Sequence, residues 1–435
     1  MRLLKRLFIP VLIGAGIGAN FLREVLLAYV FGASSSIDIF RVSTFVPTVF
    51  FQTMGVVLVG LYLPLYKPNT DRSYAFSDSR NVTVISLIIT GVGILTSPLV
   101  ARYAAPSLAV QFDNDIFWAS VWSWIGFFLV SLSFHCRIQL QSEGRSGMVA
   151  SASLIFSVAF VGAMLCLLWM KKYSISSSAI LVISFCFACA ALLVFYTGFS
   201  RIKDVVAISI KKKLEFNATS LVSSKVILGA FFVQFLLVIP RLLDRSVASK
   251  MGVGGIAKLE YAYNIYTAAG MLIGTSAMII FAQRLSGVSL KRDSVRNFIK
   301  LTWSTVFAAL IISAFVFIFS RELVVAIYLR GFFTMGDVDD TNSYLIYLLF
   351  SFVPMVANML LFQTLLGCHS LMLIVVPTFA KIFIKLILIF ALSEASPDLV
   401  IGASSAACEI AFLVLGLICL KFFVSQSNAL VNSQE

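Results

Sequence analysis

The chain has 435 residues, of which 60% are hydrophobic and only 12% charged, with a formal net charge of +13. Its mean hydropathy is +0.98, whereas soluble domains carry about 25% charged residues. A soluble enzyme or a nucleic-acid-binding domain is excluded by that balance, and the apolar residues fall in continuous blocks of membrane-crossing length rather than the short alternating segments of a membrane barrel.

Twelve helical spans are expected, at roughly 7–30, 36–64, 82–103, 116–140, 147–170, 176–199, 222–247, 257–286, 298–320, 341–366, 371–393 and 399–424. The start, Met1-Arg-Leu-Leu-Lys-Arg6, imitates a signal peptide, but Arg23 and Glu24 interrupt the run that follows, which favours an uncleaved first span. With the N-terminus inside, one set of loops holds 15 Lys and Arg residues, among them Arg2, Arg72 and Lys211-Lys-Lys213, against 6 on the other side. The positive-inside rule therefore places both termini in the cytoplasm and explains most of the net charge. Lys211–Lys213 reads either as a contact with anionic lipid headgroups or as a solvated loop.

Two halves are visible. Gly32, in Tyr29-Val-Phe-Gly-Ala, and Gly252, in Ser249-Lys-Met-Gly-Val, each follow the first span of a half, 220 residues apart; Gly144 and Gly367 each follow the fourth, 223 apart. Six spans per half is an even number, so the halves are parallel repeats, with substrate expected between them near the midplane. The expected lobes are 1–205 and 206–435, hinged in the basic loop at 200–220.

Enzyme signals are thin, and no catalytic residue, metal ligand set or cofactor is expected. His135 and His369 are far apart in sequence, and Cys186 and Cys189 lie inside an apolar span without a second ligand pair. Gly14-Ala-Gly-Ile-Gly18 lacks the Lys-Ser/Thr of a phosphate-binding loop, so no nucleotide-driven pump is indicated. The embedded charges carry more. Arg23, Glu24, Asp38 and Arg41 sit in the first two spans, Arg241, Asp244 and Arg245 in the seventh beside Pro240, Lys381 and Lys385 in the eleventh, and Glu409 in the twelfth. A charge at the centre of a membrane helix costs about 2.5–3.5 kcal/mol even on lenient scales, so such residues face a partner, a cavity or a cargo. Arg23, Asp38, Arg41, Arg241, Asp244 and Arg245 are accordingly the candidate substrate-binding set, with arginine's planar fork suited to phosphate oxygens. The plainer reading makes Arg23–Glu24, Arg41–Asp38 and Arg241–Asp244 ion pairs.

The same residues carry a resemblance. Leu22-Arg-Glu-Val-Leu-Leu-Ala, Phe31-Gly-Ala, Asp38-x-Phe40 and Pro47 resemble the opening of the MurJ/MviN lipid II flippases of the multidrug/oligosaccharidyl-lipid/polysaccharide exporter superfamily. So do Leu243-Asp-Arg-Ser-Val-Ala-Ser-Lys-Met-Gly252 leading to Leu259-Glu-Tyr-Ala262, Leu329-Arg-Gly-Phe-Phe-Thr334, and the Gly367 segment leading to Pro377. The resemblance implies an all-α multi-pass protein of the bacterial inner membrane, with two six-helix lobes in a V around a central cavity. It implies export of an undecaprenyl-diphosphate-linked saccharide, lipid II or a related envelope polysaccharide precursor, by alternating access, with membrane lipids and envelope-biosynthesis enzymes as partners. Arg23 matches a cavity arginine of that family and Asp38 its acidic partner. The sequence also departs from the pattern. Ile17 stands where the family carries a further arginine, no arginine occurs between Arg41 and Arg72, and Tyr263-Asn264 replaces an expected Asp-Arg. Other lipid-linked glycans, with Arg41, Arg241 and Arg245 as substitutes, therefore stay open as cargo. Two alternatives remain beside the flippase: a cation-coupled exporter of small organic molecules, and a non-transporting membrane scaffold.

Overall fold

A computed structural model describes residues 2–62, 72–142, 145–170, 176–199, 224–285, 292–367 and 372–432. The expected lobe boundary at 205/206, the Lys211–Lys213 run, Gly144 and His369 lie outside the described residues. Every regular element among the described residues is helical. In chain order these are α1 (Arg2–Phe31), α2 (Ser35–Tyr62), α3 (Arg72–Ala104), α4 (Pro106–Ser131), α5 (Phe134–Ser142), α6 (Ser146–Ala150), α7 (Ala152–Trp169) and α8 (Ser177–Phe199). Then come α9 (Ser224–Ala248), α10 (Gly255–Leu285), α11 (Arg292–Ile318), α12 (Ser320–Tyr328), α13 (Met335–Leu349), α14 (Phe352–Gly367), α15 (Met372–Ala391) and α16 (Pro397–Asn432).

The helices are apolar on nearly all sides, the pattern of a segment that meets protein on one face and hydrocarbon on the other. Leu95, Trp169 and Phe390 are 80%, 89% and 85% exposed, a distribution that water would punish and lipid does not. By length and composition five described helices can cross a membrane, and two bent pairs bring the number to seven. The first bend falls at the end of the expected ninth span, 298–320, and the second divides the expected tenth span, 341–366. Thr302–Ile318 meets Ser320–Tyr328 at 71°, and Met335–Leu349 meets Phe352–Phe362 at 55°. At the second break the Ser351 hydroxyl bonds back to the Leu348 carbonyl at 2.7 Å, and Pro354 fits only the first turn of the helix that follows. The expected fourth span, 116–140, likewise divides: α4 stops at Ser131, and the Ser133 hydroxyl bonds the Val130 carbonyl at 2.6 Å before α5 begins.

The chain forms two compact units, Met1–Phe235 and Leu236–Glu435. In the first, α1 packs on α7, α2 on α4 and α8, and α3 on α4. In the second, α10 packs on α13 and α14, and α16 on α13, α14 and α15. The two repeat glycines hold the left-handed backbone that glycine adopts without strain, with φ of 61° at Gly32 and 83° at Gly252.

Gly402 lets α16 approach α13 closely: a methyl group added there would lie 2.8 Å from the Tyr347 carbonyl carbon and oxygen. Backbone cannot step aside as a side chain can, so Gly402→Ala is expected to destabilise by about 1–3 kcal/mol. Gly162→Ala, where the methyl meets open space, is expected to leave stability unchanged or raised. Thermal unfolding of the two purified variants in detergent separates them, and equal melting temperatures would contradict the close α13–α16 contact.

Candidate anion-binding site

The first unit encloses a cavity of about 450 Å³. Helical spacing explains its walls. Residues four apart share a helix face, so α2 presents Phe40, Arg41, Thr44 and Thr48, α7 presents Phe156 and Phe160, and α8 presents Phe185, Cys189 and Leu192; α1 contributes Asn20 and Arg23, and α5 contributes Arg137. Pro47 removes the N–H that would bond the Ser43 carbonyl, and the Thr44 hydroxyl bonds the Phe40 carbonyl at 2.6 Å. Among the described lining residues three are arginines and none is acidic.

Glu24 organises two of the three arginines. Its carboxylate, 6% exposed, accepts from Arg23 Nη2 at 2.7 Å through Oε1 and from Arg41 Nη2 through Oε2. The Arg23 guanidinium also lies over the Phe156 and Phe160 rings, 5.6 and 5.4 Å from their centroids, where the electron-rich ring faces attract it. One carboxylate is thus shared by two guanidiniums at the cavity wall. Such a wall suits an oxyanion and repels a cation.

The sequence candidates divide sharply. Arg23 and Arg41 line the cavity; Asp38 is fully buried and is absent from the described lining. Arg241, Asp244 and Arg245 belong to the second unit. There the expected Arg241–Asp244 pairing gives way to another. Asp244, 1% exposed, binds Lys385 Nζ at 2.6 Å and accepts from the Tyr263 hydroxyl at 2.6 Å, while Lys385 also donates to Ser405 at 3.0 Å. Arg241 is exposed and lies over the Tyr263 ring, 5.6 Å from its centroid. Lys385 wins because its ammonium reaches the carboxylate in the buried interior, whereas the Arg241 head stays accessible. Arg245 is held by Glu260 at 2.5 Å, and Lys381 by Glu409 at 2.5 Å, which Asn358 Nδ2 reaches as well at 2.7 Å. Among the described residues, Lys385, Arg245 and Lys381 are thus each paired with one carboxylate. Arg137 was not among the sequence candidates, although an arginine inside the expected span 116–140 carried the same energetic signal as Arg23.

Breaking the Asp244–Lys385 pair from one side strands a buried charge, which costs about 3–5 kcal/mol. Lys385→Met is expected to lower thermal stability by that order, and the double variant Asp244→Asn/Lys385→Met to recover most of it. A double variant no more stable than the single one would show that the two groups do not depend on each other.

A family model described as "Lipid II flippase MurJ" matches residues 27–429. No curated protein matches the sequence. Among solved structures the chain is similar to a lipid II flippase MurJ in an inward closed conformation, with a TM-score of 0.71 and 15% identity over 95% of this chain and 87% of that one. It is similar also to an inward-facing multidrug resistance MATE transporter of the MOP superfamily, with a TM-score of 0.61 and 12% identity over 95% of each chain. The Vibrio cholerae MATE transporter VcmN in its bent form gives a TM-score of 0.53 and 9% identity over 96% of this chain and 95% of that one. At these identities the likeness of structures speaks for the fold, and the family model for the lineage.

Proposed function

This chain belongs to the lipid II flippase MurJ family, and from that we infer that it moves an undecaprenyl-diphosphate-linked saccharide, lipid II or a related envelope precursor, from the inner to the outer leaflet by alternating access. The observation that carries the reading to particular residues is the cavity of the first unit, with three arginines and no acidic residue in its described lining. Arg23 and Arg41 are the residues that meet the diphosphate, and Glu24 holds both guanidiniums in place so that little side-chain freedom is lost when the anion arrives. Thr44 and Thr48 add hydroxyls, and the phenylalanine rings keep the surroundings of low polarity, which strengthens each charged hydrogen bond. The chain is a multi-pass protein of the bacterial inner membrane, and the loop-charge asymmetry supports both termini in the cytoplasm. A membrane potential negative inside favours outward movement of an anion by about 2.3 kcal/mol per charge per 100 mV.

The multidrug-exporter alternative fits less well. Cationic drugs call for acidic and aromatic walls, and a guanidinium-lined cavity repels them. Arg23→Ala is expected to abolish export while the protein accumulates and folds normally. Depletion of the protein is expected to raise the inner-leaflet content of one lipid-linked glycan, measured by mass spectrometry of leaflet-selectively labelled lipid. Lysis with lipid II accumulation identifies peptidoglycan precursor as cargo; viable cells accumulating another glycan lipid identify a polysaccharide unit. If no lipid-linked intermediate accumulates, the flippase reading fails.

A further inference from the structure

The surroundings of Lys385 are those of a bound cation. Its ammonium carries three N–H donors, and three oxygens meet it: Asp244 Oδ1 at 2.6 Å, Asp244 Oδ2 at 2.7 Å and Ser405 Oγ at 3.0 Å. The Tyr263 hydroxyl joins this shell by donating to Asp244 Oδ2 at 2.6 Å. The oxygens come from three helices, α9, α10 and α16, while α15 brings the cation. Asp244 and Lys385 are each 1% exposed. Pro240 stands inside α9 four residues before Asp244, and Pro377 inside α15 eight before Lys385; a proline within a helix leaves one backbone carbonyl without its usual partner. Carboxylate, hydroxyls and proline-interrupted helices converging inside a membrane bundle are the makings of a monovalent-cation site. Hard oxygen donors of this kind suit ions that bind by charge alone.

The charged neighbours have other attachments. Arg241, one turn before Asp244, lies over the Tyr263 ring, and Arg245 bonds Glu260. Lys381, one turn before Lys385, bonds Glu409. Cys408 lies within electrostatic reach of both lysines and of Asp244 and Glu409. An alkali ion would have to shed its water and lose its freedom to reach Asp244, whereas the covalent stem of Lys385 delivers the same charge already confined. A site filled by one positive charge also repels a second. We propose that Lys385 is a tethered counter-cation: its ammonium permanently fills a monovalent-cation site made by Asp244, Ser405 and Tyr263, so that the second unit binds no sodium or potassium ion there. For the proposed transport it follows that no alkali-cation gradient is coupled through this site. The role of Lys385 goes beyond the flippase assignment and rests on it only for that consequence.

Thermal unfolding of the purified full chain in detergent, at constant chloride with sodium, potassium or N-methylglucamine as the cation, tests this. The unsubstituted protein is expected to melt at the same temperature in all three. Lys385→Ala is expected to melt several degrees lower in N-methylglucamine, because Asp244 is left stranded. Potassium, ammonium or propylammonium is expected to restore about half of that loss or more, propylammonium filling the vacated stem as well as supplying the charge. Tetramethylammonium, too bulky for the space, is expected to restore nothing. Asp244→Asn/Lys385→Ala lacks the carboxylate and is expected to respond to none of them. A higher melting temperature of the unsubstituted protein in sodium or potassium overturns the tethered role. So does a Lys385→Ala protein that no small cation stabilises, or one whose response survives the addition of Asp244→Asn. Where Lys385→Ala does not fold, the unsubstituted protein in the three salts decides alone. Movement of a fluorescent short-chain prenyl diphosphate sugar across proteoliposomes is expected to continue when N-methylglucamine replaces both alkali ions. A requirement for either ion overturns the inference and leaves the flippase reading in place. No movement in any salt sinks the flippase reading, and the melting temperatures still decide the role of Lys385.

Discussion

A buried ionised group in apolar surroundings must have a partner, and each unit of this protein has one such carboxylate at the same place in the repeat. Glu24 lies eight residues before Gly32, and Asp244 lies eight before Gly252. The two acids therefore hold the same place in the repeat, near the end of the first helix of each unit and just ahead of a glycine with positive φ. Both are nearly inaccessible, at 4% and 1% exposure. Removing an unpartnered carboxylate from water costs far more than a helix–helix contact returns, so whatever packs around these positions has to bring a cation.

The two units meet that demand in different ways. Around Asp244 the cation is a lysine fixed by a tyrosine and a serine as neighbours. The further pairs Lys381–Glu409 and Arg245–Glu260 are also matched one to one. Around Glu24 two arginines compete for one carboxylate, and a third arginine lines the cavity they share. Matched charges hold helices in register and offer an anion little. Guanidiniums beside phenylalanine rings in a cavity whose described lining has no acid favour an anion over a cation. The same position of the repeat thus ties a lysine in one unit and holds two cavity-lining arginines in the other.

Much of this was readable from the sequence, and what was not has physical causes. Apolar block length gave the helices, and the cost of intramembrane charge singled out Arg23, Arg41, Asp244 and Lys385. The partners were hidden, because Asp244 and Lys385 are 141 residues apart and periodicity reports only one helix at a time. The sequence paired Asp244 with its helix neighbour Arg241, whereas burial favoured a lysine from α15. The broken spans were hidden for a similar reason. Averaged hydropathy runs straight through Leu349–Phe352, and only the local signals, Ser351 and Pro354, mark the bend. Arg137 carried the same signal inside the expected span 116–140 and was passed over; the structure places it on α5, after the break at Ser131–Phe134.

Position in a cavity, not position in a motif, is what an anion responds to. Ile17 occupies a place where the family resemblance implies an arginine, and no arginine follows Pro47 in α2. The electrostatic potential at a bound phosphate depends on the distance to each guanidinium and on the local dielectric, and is indifferent to which helix delivers the charge. Arg137 on α5 brings a guanidinium to the cavity that Arg23 and Arg41 line. In the second unit Arg245 is held by Glu260, and Arg241 lies over Tyr263. A motif place without arginine can therefore coexist with an arginine-lined cavity, provided that another backbone segment reaches the same space.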